Sequence, residues 1–147
     1  MTTVAQIIQS KQDKSVHTIH PTASVLEAVK RMAELRIGAL LVMENEKIVG
    51  IVTERDYARK VVLKGRSSDV TPVRDVMSSP VMYVSPQHTN EQCMALMTEN
   101  RLRHLPVLDH SGRLIGLVSI GDLVKDIISE QKFIIEQLEH YIRGERA

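Results

Sequence analysis

The chain has 147 residues, a formal net charge of +1, 43% hydrophobic residues and only 3% aromatics with no tryptophan. This composition predicts one compact globular unit with an aliphatic core, and it excludes both a broad basic face for a phosphate backbone and an aromatic platform for stacking bases, so no nucleic acid partner is expected. No segment reaches membrane-spanning length and the first residues carry no targeting pattern, so no membrane partner and a cytoplasmic location are expected.

In chain order, the elements come twice. VHTIHP at Val16 to Pro21 returns 65 positions later as VMYVSP at Val81 to Pro86, each predicting a first strand. Ser24 with Glu27, and Thr89 with Gln92, have the hydroxyl and three-residue spacing of capping boxes that open helices. The apolar faces that follow are Val25, Ala28, Val29, Met32 and Ala33 in the first copy, and Cys93, Met94, Leu96 and Met97 in the second. Cys93, the sole cysteine, falls in this apolar run and is expected to be a buried packing residue, with no disulfide and no metal.

Next come the apolar runs Ala39 to Met43 and Leu105 to Leu108, the polar turns ENEK and DHSGR, and the runs Ile48 to Val52 and Leu114 to Val118. Each pair predicts a hairpin. Both copies then end in one motif: glycine, two apolar residues, a hydroxyl, two variable positions and an aspartate, GIVTERD at Gly50 to Asp56 and GLVSIGD at Gly116 to Asp122. Read locally, Thr53 with Asp56 and Ser119 with Asp122 are capping boxes that satisfy the free N–H groups of a first helical turn. That reading leaves the shared glycine and apolar pair unexplained. The fold class expected is α+β, two β-α-β-β-α repeats packed with pseudo-twofold symmetry, with repeat 1 at residues 1–66, repeat 2 at 67–129, and a C-terminal helical extension at 130–147. GRSSDVTP, from Gly65 to Pro72, reads as the polar connector.

The ordered set HTIHP, RIGALLV and VGIVTERD, followed by RHLPVLD and IGLVSIGDL, resembles the cystathionine-β-synthase (CBS) domain in its usual tandem form, the Bateman module. The resemblance covers the chain from Val4 to about Ile128. It implies a regulatory module without catalysis that binds an adenosine-containing ligand (AMP, ADP, ATP, NAD(H) or S-adenosylmethionine) in clefts between the repeats and signals by conformational change. Carried onto these residues, it assigns Asp56 and Asp122 to a ribose diol, which suits a carboxylate that accepts two hydroxyls. Thr53 and Ser119 stand beside helix N-termini that favour an anion. Ile37 and Ile51, and Leu102 and Leu117, would sandwich an adenine. Val16, Gly38 and Ala39 in the first copy, and Val81 and Pro106 in the second, complete the expected lining. Arg55, Arg103 and His104 are the expected phosphate contacts, His104 more so when protonated. Because Arg103 and His104 stand where the first copy has Gly38 and Ala39, the two sites are expected to be unequal.

An enzyme is not expected: His17, His20, His88, His104, His110 and His140 make no metal-binding spacing, and no nucleophile or phosphate-loop motif occurs. The competing reading is a structural module that works by oligomerisation without ligand. It rests on EQKFIIEQLEHYIRG at Glu130 to Gly144, whose apolar residues recur at helical spacing and are expected to contribute to a homodimer.

Overall fold

A computed structural model describes residues 1–144, so the last three positions of the expected extension lie outside the described residues. The fold is α+β. Its elements are α1 (Val4–Ser10), β1 (Thr18–Ile19), α2 (Val25–Leu35), β2 (Ala39–Glu44), β3 (Lys47–Thr53), α3 (Glu54–Asp56) running on as a π-helical stretch (Tyr57–Val62), a 3-10 turn (Val73–Asp75), α4 (Asn90–Asn100), β4 (His104–Leu108), β5 (Leu114–Ser119) and α5 (Ile120–Ile142).

These elements form two compact units, and the division differs from the expected one at residues 66 and 67. One unit is Ser15–Met82; the other joins Met1–Lys14 to Tyr83 and the described residues after it. The cause is a crossed use of two short apolar segments. Val4, Ile7 and Ile8 repeat as Val73, Val76 and Met77. Val4 and Ile7 are buried in the core of the second repeat with Cys93, Leu105 and Leu123, whereas Val73 and Val76 are buried in the core of the first with Met32, Leu40 and Val52. The backbone repeats the exchange: Val4 N–H donates to His88 O and Val73 N–H to Ala23 O, both at 2.8 Å. The segment that precedes each repeat therefore completes the other one. Apolar residues of this size each contribute about 1.5–3 kcal/mol when fully buried, so neither repeat can dispense with its borrowed segment.

In the first unit β1 runs parallel to β2, and β2 antiparallel to β3. In the second, β4 pairs antiparallel with β5, and the expected first strand is reduced to a parallel bridge between Val84 and Val107. Both hairpins slip register at the same place, between Val42 and Met43 and between Val107 and Leu108. Their turns differ. Asn45 and Glu46 both take left-handed backbone conformations, at φ 52° and 64°. The longer turn is instead held by Asp109, whose Oδ1 accepts from Ser111 N–H, Ser111 Oγ–H and Arg113 N–H at 2.7–2.9 Å. These bonds, the Ser111 hydroxyl first, lower the Asp109 pKa.

The caps lie where the sequence places them: Ser24 accepts from Glu27 N–H, and Thr89 forms a reciprocal box with Gln92. Val25, Ala28, Met32, Cys93 and Met97 are buried, whereas Ala33, expected on the apolar face, is exposed at the end of its helix. The stripe of α4 also carries Asn90, buried and donating to Leu123 O at 2.9 Å and to Asp126 Oδ2 at 2.8 Å, which ties α4 to α5. The expected connector has a structural task too, since Ser68 and Thr71 carbonyls accept from the free N–H groups of Leu26 and Val25 at 2.9 Å.

The shared glycines are explained by the borrowed segments. A Cβ at Gly50 would lie 2.5 Å from Met77 Sδ and 3.1 Å from the backbone oxygen of Ser78, and one at Gly116 would lie 2.7 Å from Ile8 Cδ1. Met77 and Ile8 are repeat equivalents, so each glycine admits the same apolar residue of the arriving segment. A methyl at Gly50 meets backbone as well as side chain, so Gly50→Ala should cost about 1–3 kcal/mol by overpacking. Gly116→Ala should cost less, because the terminal carbon of Ile8 can rotate away. Urea denaturation of the two variants checks the order, and a Met77→Ala change added to Gly50→Ala should recover part of the loss.

Candidate functional site

The ends of β3 and β5 hand the chain directly into helices, and each junction is built in the same way. Thr53 Oγ1 accepts from Asp56 N–H at 3.1 Å, and Asp56 Oδ2 accepts from Thr53 N–H at 3.0 Å and from the Thr53 hydroxyl at 3.1 Å. Ser119 Oγ accepts from Asp122 N–H at 3.2 Å, while Asp122 Oδ2 accepts from Ser119 N–H at 2.9 Å. A strand across the hairpin adds one more bond at equivalent places: Glu54 N–H donates to Gly38 O at 3.1 Å and Ile120 N–H to Arg103 O at 2.9 Å. The capping reading is therefore realised in full at both motifs. It occupies one carboxylate oxygen of each aspartate.

A lysine stands at each carboxylate, and neither was among the sequence candidates. Lys60 Nζ lies 3.1 Å from Asp56 Oδ1 and donates to Val76 O at 2.9 Å. Lys11 Nζ lies 3.0 Å from Asp122 Oδ2 and donates to Leu117 O at 2.9 Å. Lys60 is four residues beyond Asp56 on one helix, a spacing that the sequence could have revealed. Lys11 comes from the far end of the chain, at the C-terminus of α1, and no local pattern points to it. The ammonium groups also differ in consequence. Lys60 and the Ser78 hydroxyl, at 3.5 Å, occupy the second oxygen of Asp56. Lys11 shares the oxygen already used by the cap, so Asp122 Oδ1 has no partner among the described residues. The Asp122 side chain is also the more exposed, at 18% against 11%.

The other candidates divide between the units. The Ser15–Met82 unit holds Asp56 together with Val16, Ile37, Gly38, Ala39, Ile51 and Arg55. Ile51 faces Leu41 in the hairpin and pairs its backbone in both directions with Ser78, at 3.0 and 2.9 Å. Ile37 is half-buried against the core. Arg55 is exposed, on the first turn beside Asp56. In the other unit, His104 pairs with Ser119 and Pro106 with Leu117 across the hairpin, next to Leu102 and Arg103. Val81 falls at the end of the Ser15–Met82 unit, three residues before Val84, which bridges Val107 of β4.

The turns entering β2 and β4 contain a feature that the sequence concealed. Arg36 and Arg101, one before Ile37 and the other before Leu102, take left-handed conformations at φ 56° and 54° and end α2 and α4. Glycine is the usual residue at such a helix end, so two arginines gave no stop signal. His104 is the first residue of β4. Burial is the main cause of its lowered pKa, with Arg103 and Lys11 adding to the effect and Asp122 opposing it. At neutral pH its ring is uncharged, and the fixed cations of this group are Arg103 and Lys11.

The CBS domain family profile matches residues 4–63 and 73–129. Among curated proteins, the CBS domain-containing protein CBSX3, mitochondrial, of Arabidopsis thaliana is 39% identical over 151 residues, covering 97% of this chain and 73% of that protein. The inosine-5'-monophosphate dehydrogenase of Thermoplasma acidophilum is 37% identical over 120 residues, which cover 82% of this chain and only 22% of that enzyme. Among solved structures, a putative signal-transduction protein with CBS domains from Burkholderia ambifaria superimposes with a TM-score of 0.85 at 57% identity, over 88% of this chain and 96% of that one. CBS domains are generally regulatory parts of proteins and not catalytic ones. The two profile matches, one for each copy of the strand-to-helix junction, establish that the chain belongs to the CBS domain family as a tandem pair.

Proposed function

We propose that the chain is a regulatory module that senses an adenosine-containing molecule, AMP, ADP, ATP or NAD(H), through the aspartates of its two strand-to-helix junctions. The observation that carries this reading is the state of Asp122: a carboxylate fixed by its own helix start, with one oxygen engaged and the other without a partner among the described residues. A ribose diol supplies two O–H donors to such a group. Leu102 and Leu117 offer apolar surface for a base, and Arg103 and Lys11 offer charge for a phosphate. Asp56 is expected to bind more weakly, because a diol must first displace Lys60 from its second oxygen. Binding then becomes a signal by rearranging the lysine contact at each carboxylate. No catalytic step is assigned to any residue. The proposed compartment is the cytoplasm, in keeping with a lone thiol, Cys93, that burial keeps protonated.

Isothermal titration with AMP, ADP, ATP and NAD(H) tests this reading, with a rise in melting temperature as the independent sign of binding to the folded state. Asp122→Asn keeps an acceptor for the cap but removes the charge, and it should weaken binding by roughly 10- to 100-fold, the value of a hydrogen bond to a charged group. Asp56→Asn should weaken the stronger site far less. Unaltered affinity in both variants would restrict the aspartates to capping.

The lowered pKa of His104 gives a second test with a defined sign. A phosphate beside the ring would favour its protonated form and raise its lowered pKa in the complex, so binding takes up a proton and tightens as pH falls. Comparing AMP affinity in parent and His104→Gln between pH 7.5 and 5.5 cancels the titration of the phosphate itself. The parent should gain affinity relative to the variant at the acid end, and parallel profiles would remove His104 from the phosphate contacts.

A further inference from the structure

α5 continues without a break for 23 residues, roughly 35 Å, yet Leu123 is its one buried residue among those described. Beyond residue 131, Phe133, Ile134, Ile135, Leu138, Tyr141 and Ile142 are each more than half exposed. A contiguous apolar patch of this kind marks an interaction surface. Assigned to heptads, Ile128, Ile135 and Ile142 take position a; Val124, Gln131 and Leu138 take d; Ile127, Ile134 and Tyr141 take g. The stripe is thus a helix-pairing seam broadened on one side, with Phe133 outside it. The opposite flank, position e, carries Lys125, Lys132 and Glu139.

We infer that this segment docks a second copy of itself, antiparallel, in one register. In an antiparallel pair, a packs beside d of the partner helix, while e meets e and g meets g. Setting Ile135 beside the partner's Leu138 brings Lys132 to the partner's Glu139 and Ile134 to the partner's Tyr141. Twofold symmetry repeats each pairing, so two ion pairs flank the apolar seam. The parallel alternative sets position e against position g, leaving Lys132 and Glu139 opposite apolar residues and gaining no ion pair. The charge pattern therefore selects both the occupant and its direction. It also disfavours a lipid surface, which needs a basic polar face: α5 carries Asp122, Asp126, Glu130, Glu136 and Glu139 against Lys125 and Lys132. The helix is already nucleated by the Ser119 capping box and by Leu123 in the core, so pairing need not bear the cost of forming it.

Sedimentation equilibrium of the full chain and its charge-reversal variants tests this register, with circular dichroism confirming retained helix. The parent should be a dimer at tens of micromolar. Lys132→Glu and Glu139→Lys should each raise the dimer dissociation constant about tenfold at low salt, by turning two attractions into two repulsions. The double variant, with both pairs restored in reverse, should return close to the parent, and Leu138→Glu should be monomeric. A monomeric parent, single reversals without effect, a double variant no better than the singles, or a Leu138→Glu dimer would each overturn the inference.

Discussion

Each of the two strand-to-helix junctions depends on one carboxylate that performs two electrostatic tasks together. Asp56 and Asp122 bond back to the residue that opens their own helix, and each also holds a lysine ammonium within 3.1 Å. A cap is ordinarily worth about 1 kcal/mol, and an exposed ion pair less. Their combination matters because of where it reaches. Lys60 joins its aspartate to the arriving segment through Val76 O, and Lys11 is itself the end of an arriving segment. The helix start, the strand end and the borrowed segment thus meet at one charged group in each unit.

The borrowed segments give that arrangement its packing. Met77 against Gly50 and Ile8 against Gly116 are one contact used twice, possible because neither glycine has a Cβ to block the approach. A unit of this size buries a limited fraction of its surface, so an apolar segment contributed from outside the local repeat is a substantial part of its core. A change in the lysine contact at either aspartate would be felt by the segment that fills the core beside it. That connection links the proposed ligand contacts to structure distant in sequence.

The two copies are not interchangeable. Asp56 is closed on both oxygens by its own unit, whereas Asp122 keeps one oxygen without a partner among the described residues and has Arg103, Lys11 and an uncharged His104 around it. The difference arises from small substitutions on a duplicated frame: arginine and histidine in place of Gly38 and Ala39, and a lysine from α1 in place of one within the helix. Duplication supplied the frame, and divergence of the charged residues set the character of each site.

Local chemistry was enough for the sequence to determine the repeat, the hairpins, the four hydroxyl caps and the continuation of α5, because each depends on residues within a few positions of one another. The glycines at 50 and 116 were legible as positions of close approach, but not what approaches them. Only the tertiary structure decided that the preceding segments are exchanged, since Val4 and Val73 have the same apolar pattern and would fit either core by composition. That exchange moved the unit boundaries and brought Lys11 to a partner 111 residues away. The arginine helix ends at 36 and 101 were hidden because left-handed backbone without glycine leaves no residue signature. The pKa of His104 was hidden for a related reason: burial and the charges facing it from other elements fix it, and neither is a property of its neighbours in the chain.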